Sequence, residues 1–165
     1  MSLEEIESER AVLVALGAAD ADDLAGLLEE PSLREWLAAH DVGELRERFS
    51  AWESRRSPDG DEAWLNWVIR GRHDGRALGW VQATVRGDSA SVAYAILPAE
   101  RGLGAASDAV RALVRWLHDR LGVRTVIAEI DDANAPSARV ALAAGFERTA
   151  HCAGDEVVWE HRRTR

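Results

Sequence analysis

The stretch SVAYAILPAERGLGAASDAVRALVRWLHDRLG, from Ser91 to Gly122, constrains the fold most. A β-like run enters a glycine-rich turn, and the turn opens directly onto a long amphipathic segment. The spacing of Ala106, Ala109, Val110, Leu113, Val114, Leu117 and Leu121 predicts a helix over about 105–121 with one apolar face. Gly122 suits the position just past its end. Such a helix needs a sheet to cover. The turn places small residues, Gly102, Gly104, Ala105 and Ala106, where a helix exposes its first backbone amides.

The remaining chain supplies the sheet. RAVLVAL, from Arg10 to Leu16, reads as a strand. Leu24, Leu27 and Leu28 then recur at helical spacing behind Asp20, a suitable N-cap. Pro31 ends that helix or opens the next. Two further helical segments follow, SLREWLAAH and VGELRERFSAWESR. The period then shortens. WLNWVIR and ALGWVQATV read as strands joined by the hairpin GRHDGR, and SVAYAIL is a third. After the long helix, RTVIAEI is continuously apolar enough for a central strand. NAPSARVALAAG is a short helix capped by Asn134 and closed by Gly145. FERTAHC and EVVWEHR form a final strand pair. This order predicts an α+β mixed sheet, mostly antiparallel, of about seven strands with one crossover. The chain, 1–165, is expected to form a single domain, with acidic residues 1–9 as a disordered tail.

The composition narrows the function. The formal net charge is −9 and no basic face is clustered, which argues against a nucleic-acid partner. No apolar run approaches a membrane span, and the acidic N-terminus lacks the apolar core of a signal peptide. The only cysteine is Cys152, so no internal disulfide forms and a cytoplasmic setting is expected. Five histidines and one cysteine show no metal-ligand spacing, so no metal is expected. Seven tryptophans suit core packing, a cleft lining or a homodimer interface.

Two phosphate-binding readings of the turn fail. A P-loop needs a lysine after its second glycine, and the chain contains none. A dinucleotide fingerprint needs a third glycine, where Ser107 stands, and more βαβ chain than remains. The turn as a whole, Arg101-Gly102-Leu103-Gly104-Ala105-Ala106, resembles the pyrophosphate loop Arg/Gln-x-x-Gly-x-Gly/Ala of the GNAT superfamily of N-acetyltransferases. Asn134, Ser137, Gly145 and Phe146 resemble that superfamily's second motif at the expected distance. The likeness spans roughly 10–162, and its wording is similar to the branch of ribosomal-protein N-terminal-alanine acetyltransferases.

The resemblance implies a splayed strand pair forming an acyl-CoA cleft, with acetyl-CoA as co-substrate and an amine acceptor, either a peptide N-terminus or a small amine. It implies that Ile96 and Leu97 border the pantetheine arm, that Arg101, Gly102, Leu103, Gly104, Ala105, Ala106 and Ser107 hold the pyrophosphate, and that Asn134 and Ser137 contact the arm. It assigns Glu129 as base and Ser137 as a hydrogen-bond or proton donor to the thiolate. Ala141 stands where many members carry a catalytic tyrosine, so the acid role falls to Ser137, to Tyr94, the only tyrosine, or to no residue. The helices between Asp20 and Arg55 are implied as a wall of the acceptor cleft. Their acids Glu29, Glu30, Glu35 and Asp41 could attract a cationic amine, although such charges more often form a solvated face. A binding module without turnover and an aminoglycoside acetyltransferase are the competing functions.

Overall fold

The computed structural model describes residues 3–165. Its eight strands form one sheet in the order β1-β2-β3-β4-β5-β6-β8-β7. They are β1 (Ile6–Glu7), β2 (Ala11–Ala15), β3 (Ala63–Gly71), β4 (Ala77–Arg86), β5 (Ser89–Ile96), β6 (Thr125–Asp131), β7 (Glu147–Ala153) and β8 (Glu156–Arg162). Every pairing is antiparallel except β5 with β6. The helices are α1 (Ala21–Leu24), α2 (Pro31–Leu37), α3 (Val42–Trp52), α4 (Ala105–Arg120) and α5 (Ala135–Ala143). The mixed α+β architecture is the expected one.

The eighth strand comes from the stretch read as a disordered tail. That expectation is corrected from Leu3 onward; Met1 and Ser2 lie outside the described residues. Leu3 and Ile6 are buried, and Ile6 pairs with Leu13. Trp67 Nε1 donates to the Glu4 carbonyl at 3.0 Å. Two apolar side chains spaced within an acidic run suffice to dock it, because the carboxylates remain in water.

Strand alternation divides the core between the two faces. Leu65, Trp67 and Ile69 of β3 share a core with α4 and α5, through Leu113, Leu117 and Ala141, and with Phe146 just beyond α5. Val68 of β3 and Trp80 of β4 pack beneath α1 to α3, through Leu24, Leu37, Phe49 and Trp52. α4 carries a buried stripe from Ala105 to His118 and closes at Gly122, which takes φ +67°. α3 is capped by Asp41, whose side chain accepts from Glu44 N. Among the described residues no helix is long and apolar enough to cross a membrane.

The single parallel pairing positions the site. β5 and β6 are in register only at Ser89–Thr125, Ala90–Val126 and Ser91–Ile127. Beyond these, β5 continues to Ile96 along β4, while β6 continues to Asp131 along β8. The two strands therefore diverge, and the edge of β5 facing β6 is left open. Gly79 lets β4 sit close under this segment: a Cβ there would lie 2.3 Å from the Ala95 carbonyl oxygen.

Candidate active site

A cleft of about 600 Å³ opens where β5 and β6 part. Its lining joins β5 (Tyr94, Ala95, Ile96), the turn before α4 (Arg101, Gly102, Gly104), the first turn of α4 (Ala105, Ala106, Ser107) and α5 (Ser137, Arg139). Glu30 and Leu33 close it from the α2 side.

The turn is built to present backbone. Gly102 and Gly104 take φ +81° and +78°, which bulky residues rarely adopt. Gly104 is the N-cap of α4 and offers no side-chain cap. Asp108 N, bonded to Gly104 O at 3.2 Å, follows three helical amides that have no acceptor one turn back. Those amides, on Ala105, Ala106 and Ser107, carry the positive end of a 16-residue helix. Ser107 Oγ donates to Gly104 O at 3.2 Å, so its hydroxyl braces the turn. Arg10, which the sequence did not single out, braces it too: Nη1 donates to Leu103 O at 2.6 Å. Asp108, almost fully buried, accepts from Ser8 Oγ and Arg10 N and pins α4 to the start of β2.

Arg101 forms an ion pair with Glu30, the residue preceding Pro31 of α2. Arg139 adds a second guanidinium to the lining, also missed in the sequence. Glu100, largely buried within the turn, is held by Arg76 at 2.8 Å.

Asn134 and Ser137 stand together at the start of α5. Asn134 Oδ1 accepts from Ser137 N at 3.2 Å, an N-cap bond. Tyr94 Oη donates to the Ser137 carbonyl at 2.9 Å, tying β5 to α5 across the cleft. Burial pushes the Tyr94 hydroxyl up to about 12. It therefore stays protonated and serves as a hydrogen-bond donor, being a far weaker acid than an ordinary thiol near 8.5.

Three expected site residues lie outside the lining. Leu97 packs against the core under α1 to α3, and its N–H donates to Leu78 O at 2.9 Å. Leu103 projects into solvent, 60% exposed. Glu129 is exposed on β6, opposite Val158 of β8. It faces Glu156, whose carboxyl is held above its usual range by burial and by the charges of Glu129 and Asp131. Ala141 is fully buried and contributes no polar group. Among the described residues no cluster of three His, Cys, Asp or Glu is arranged for a metal.

A glycine turn at the N-terminus of a central helix, beside a parallel pair that splays, is the arrangement the two motifs implied. The family model described as an acetyltransferase (GNAT) domain matches residues 10–147. The chain belongs to the GNAT acetyltransferases. Solved structures share this fold over nearly their whole length. A GNAT-family acetyltransferase from Bacillus anthracis superposes with a TM-score of 0.77 at 15% identity, over 96% of this chain and 98% of the other. A proposed ribosomal-protein-serine acetyltransferase from Vibrio cholerae gives 0.76 at 18%, over 97% and 98%. AAC(6′)-Ib, in complex with paromomycin and acetyl-CoA, gives 0.74 at 19%, over 94% of each chain. No curated protein sequence matches the chain.

Proposed function

We propose that this GNAT protein transfers an acetyl group from acetyl-CoA to a primary amine, a peptide N-terminus or a small amine, by direct attack in a ternary complex. The open amide end of α4, set against two cleft-lining guanidinium groups and the free edge of β5, carries this reading. A pyrophosphate satisfies both the unmatched amides and the helix dipole. Hydrogen bonds to a charged group are worth about 1.5–3 kcal/mol each, enough to outweigh a distant net charge that salt screens.

The residues present fit acetyl-CoA. The amides of Ala105, Ala106 and Ser107, with Arg101 and Arg139, would hold the pyrophosphate. The free edge of β5 around Ala95 and Ile96 would take the pantetheine arm as an added strand. Acetyl-CoA supplies the activated thioester. The amine nitrogen forms a bond to the thioester carbonyl carbon, the C–S bond breaks, and the proton lost by nitrogen ends on the thiol. Ser137 would stabilise the departing thiolate as a hydrogen-bond donor, and Tyr94, whose single hydroxyl proton is donated to the Ser137 carbonyl, would hold it in position or swing to the thiolate in its stead. Glu129, exposed on β6 past its last pairing with β5, would act as base through water. An α-amino group near 8 needs little help; a lysine amine near 10.4 needs about 4 kcal/mol at pH 7.4. A remote base therefore favours an N-terminal or low-pKa amine. A ribosomal-protein acceptor fits the sequence wording, and a single soluble domain over 1–165 acting in the cytoplasm fits the composition.

Calorimetric titration with acetyl-CoA, with free coenzyme A as comparison, tests the reading, followed by thiol release over an amine panel. Micromolar binding and amine-dependent thiol release support it. No binding up to millimolar ligand overturns it, and binding without turnover leaves an acyl-CoA-binding module, the reading that the loss of the usual tyrosine at Ala141 favours. Aminoglycosides belong in the panel because AAC(6′)-Ib shares the fold.

A further inference from the structure

α2 forms the cleft wall facing the sheet, and its outward residues differ in how they are used. Leu33 lines the cleft, and Trp36, three residues on, shares its helix face. The Trp36 ring lies 5.1 Å from Trp80 and meets Trp52 edge-on at 6.2 Å. Trp80 is the register partner of Ala95, another lining residue, so both occupy one face of the sheet. Trp36 lies outside the lining itself and adjoins it through Trp80, the register partner of Ala95, and through Leu33 one turn back on α2. Trp52 and Trp80 are stacked and buried, whereas Trp36 is 51% exposed. An indole held on two others yet open to solvent is a rigid recognition surface that loses little entropy on contact.

The charges of the lining point the same way. Its two carboxylates, Glu30 and Glu100, are matched by ion pairs with Arg101 and Arg76, and Arg139 adds positive charge. A pyrophosphate that takes Arg101 frees Glu30 alone, one carboxylate to match one ammonium and too few for a polycation. Glu129, Asp131 and Glu156 lie across the splay, outside it.

We infer that Trp36 is the acceptor-recognition residue and that the acceptor is a monoamine with an apolar or aromatic body, rather than a polyamine or an amino sugar. This rests on the acetyltransferase reading above.

The test measures acetyl transfer from acetyl-CoA to 2-phenylethylamine, spermidine and kanamycin, with acetyl-CoA affinity measured separately. The wild-type protein is expected to show a kcat/KM for 2-phenylethylamine at least tenfold above the other two. Trp36→Ala should raise KM for 2-phenylethylamine about tenfold, with kcat within twofold and acetyl-CoA affinity unchanged. Trp36→Phe should restore most of the loss, which a merely unfolded variant would not allow. A preference for spermidine or kanamycin, no turnover of 2-phenylethylamine, or an unchanged KM in Trp36→Ala overturns the inference while leaving the acetyltransferase reading intact if acetyl-CoA binds. Failure of the wild-type protein to bind acetyl-CoA overturns both.

Discussion

A Cβ on Gly104 would lie 3.1 Å from Arg10 Nη1, at a φ of +78° that side chains resist. Gly104→Glu adds to this a carboxylate facing the amides proposed to bind pyrophosphate. The expected outcome is a loss of acetyl-CoA affinity of about 100-fold or more, since two charged hydrogen bonds are worth roughly 3 kcal/mol or more. Calorimetry reads it directly, and unchanged affinity would move the phosphate site elsewhere. Gly79 is constrained differently. An added methyl there would meet the backbone of Ala95 and Ile96, at 2.3 and 2.9 Å, so Gly79→Ala must push β5 off β4. Overpacking of this kind costs about 1–3 kcal/mol, and the backbone contact places it at the upper end. A urea midpoint equal to wild type would contradict the close approach. Gly104 was legible in the sequence because a short motif surrounds it. Gly79 was not, because its crowding comes from the facing strand. The same limit hid Arg10, whose hydrogen bond to the glycine turn spans 93 positions, and Asn66. The Asn66 side-chain oxygen accepts from both Trp80 and Gln82 within the sheet face under α3, and its amide nitrogen is buried without a partner.

Between elements, two polar links join pieces that the sequence showed only separately. Glu30 ties the start of α2 to Arg101 of the glycine turn. A bound pyrophosphate would compete for that guanidinium, so Glu30→Gln should tighten acetyl-CoA binding. A partly exposed ion pair is worth about 0.2–1 kcal/mol, which corresponds to roughly 1.5- to 5-fold. Acetylpantetheine, which lacks the pyrophosphate, should bind both proteins equally; equal tightening for both ligands would refute the competition. The second link joins α4 to β8. His118 Nδ1 contacts the Val123 carbonyl at 2.7 Å, and a carbonyl only accepts, so that nitrogen carries a proton. His118 Nε2 then takes a hydrogen bond from His161 Nδ1 at 3.0 Å. Burial, with the neighbouring His118, holds the His161 imidazole below its usual 6.5. The unfolded chain therefore takes up a proton at this residue before the folded one does. Stability falls as pH drops through about 6.5 and levels off below the folded value. His161→Phe should flatten the pH 5–7 slope of the denaturation midpoint, and a retained slope would assign it to other groups. α4 was visible in the sequence as an apolar stripe and β8 as one of the final strand pair, but histidines 43 positions apart gave no sign of meeting.

At the level of the whole molecule, eight strands enclose two cores, one on each face, and the cleft forms where the sheet stops being continuous. The succession of elements from β2 onward and the crossover through α4 were readable from periodicity; β1 and the placing of β8 between β6 and β7 were not. The splay was implied only by resemblance, because residues 92–96 look like any buried strand and nothing local reveals that their second edge lacks a partner. Glu129 shows the cost of that limit: its position in the chain marks the end of a central strand, but the divergence of β6 carries it out of the lining. The open edge has a measurable consequence. Backbone amides of β5 that face the splay lack the protection of β4 amides bonded on both sides, and exchange with solvent through local motion. If the pantetheine arm adds to this edge as a strand, acetyl-CoA will slow hydrogen exchange across 92–96. β3, paired on both edges with β2 and β4, will keep its rates. Protection confined to the turn at 101–107, with β5 unchanged, would show that the cofactor is held by its phosphates alone and that the thioester is not presented along the strand.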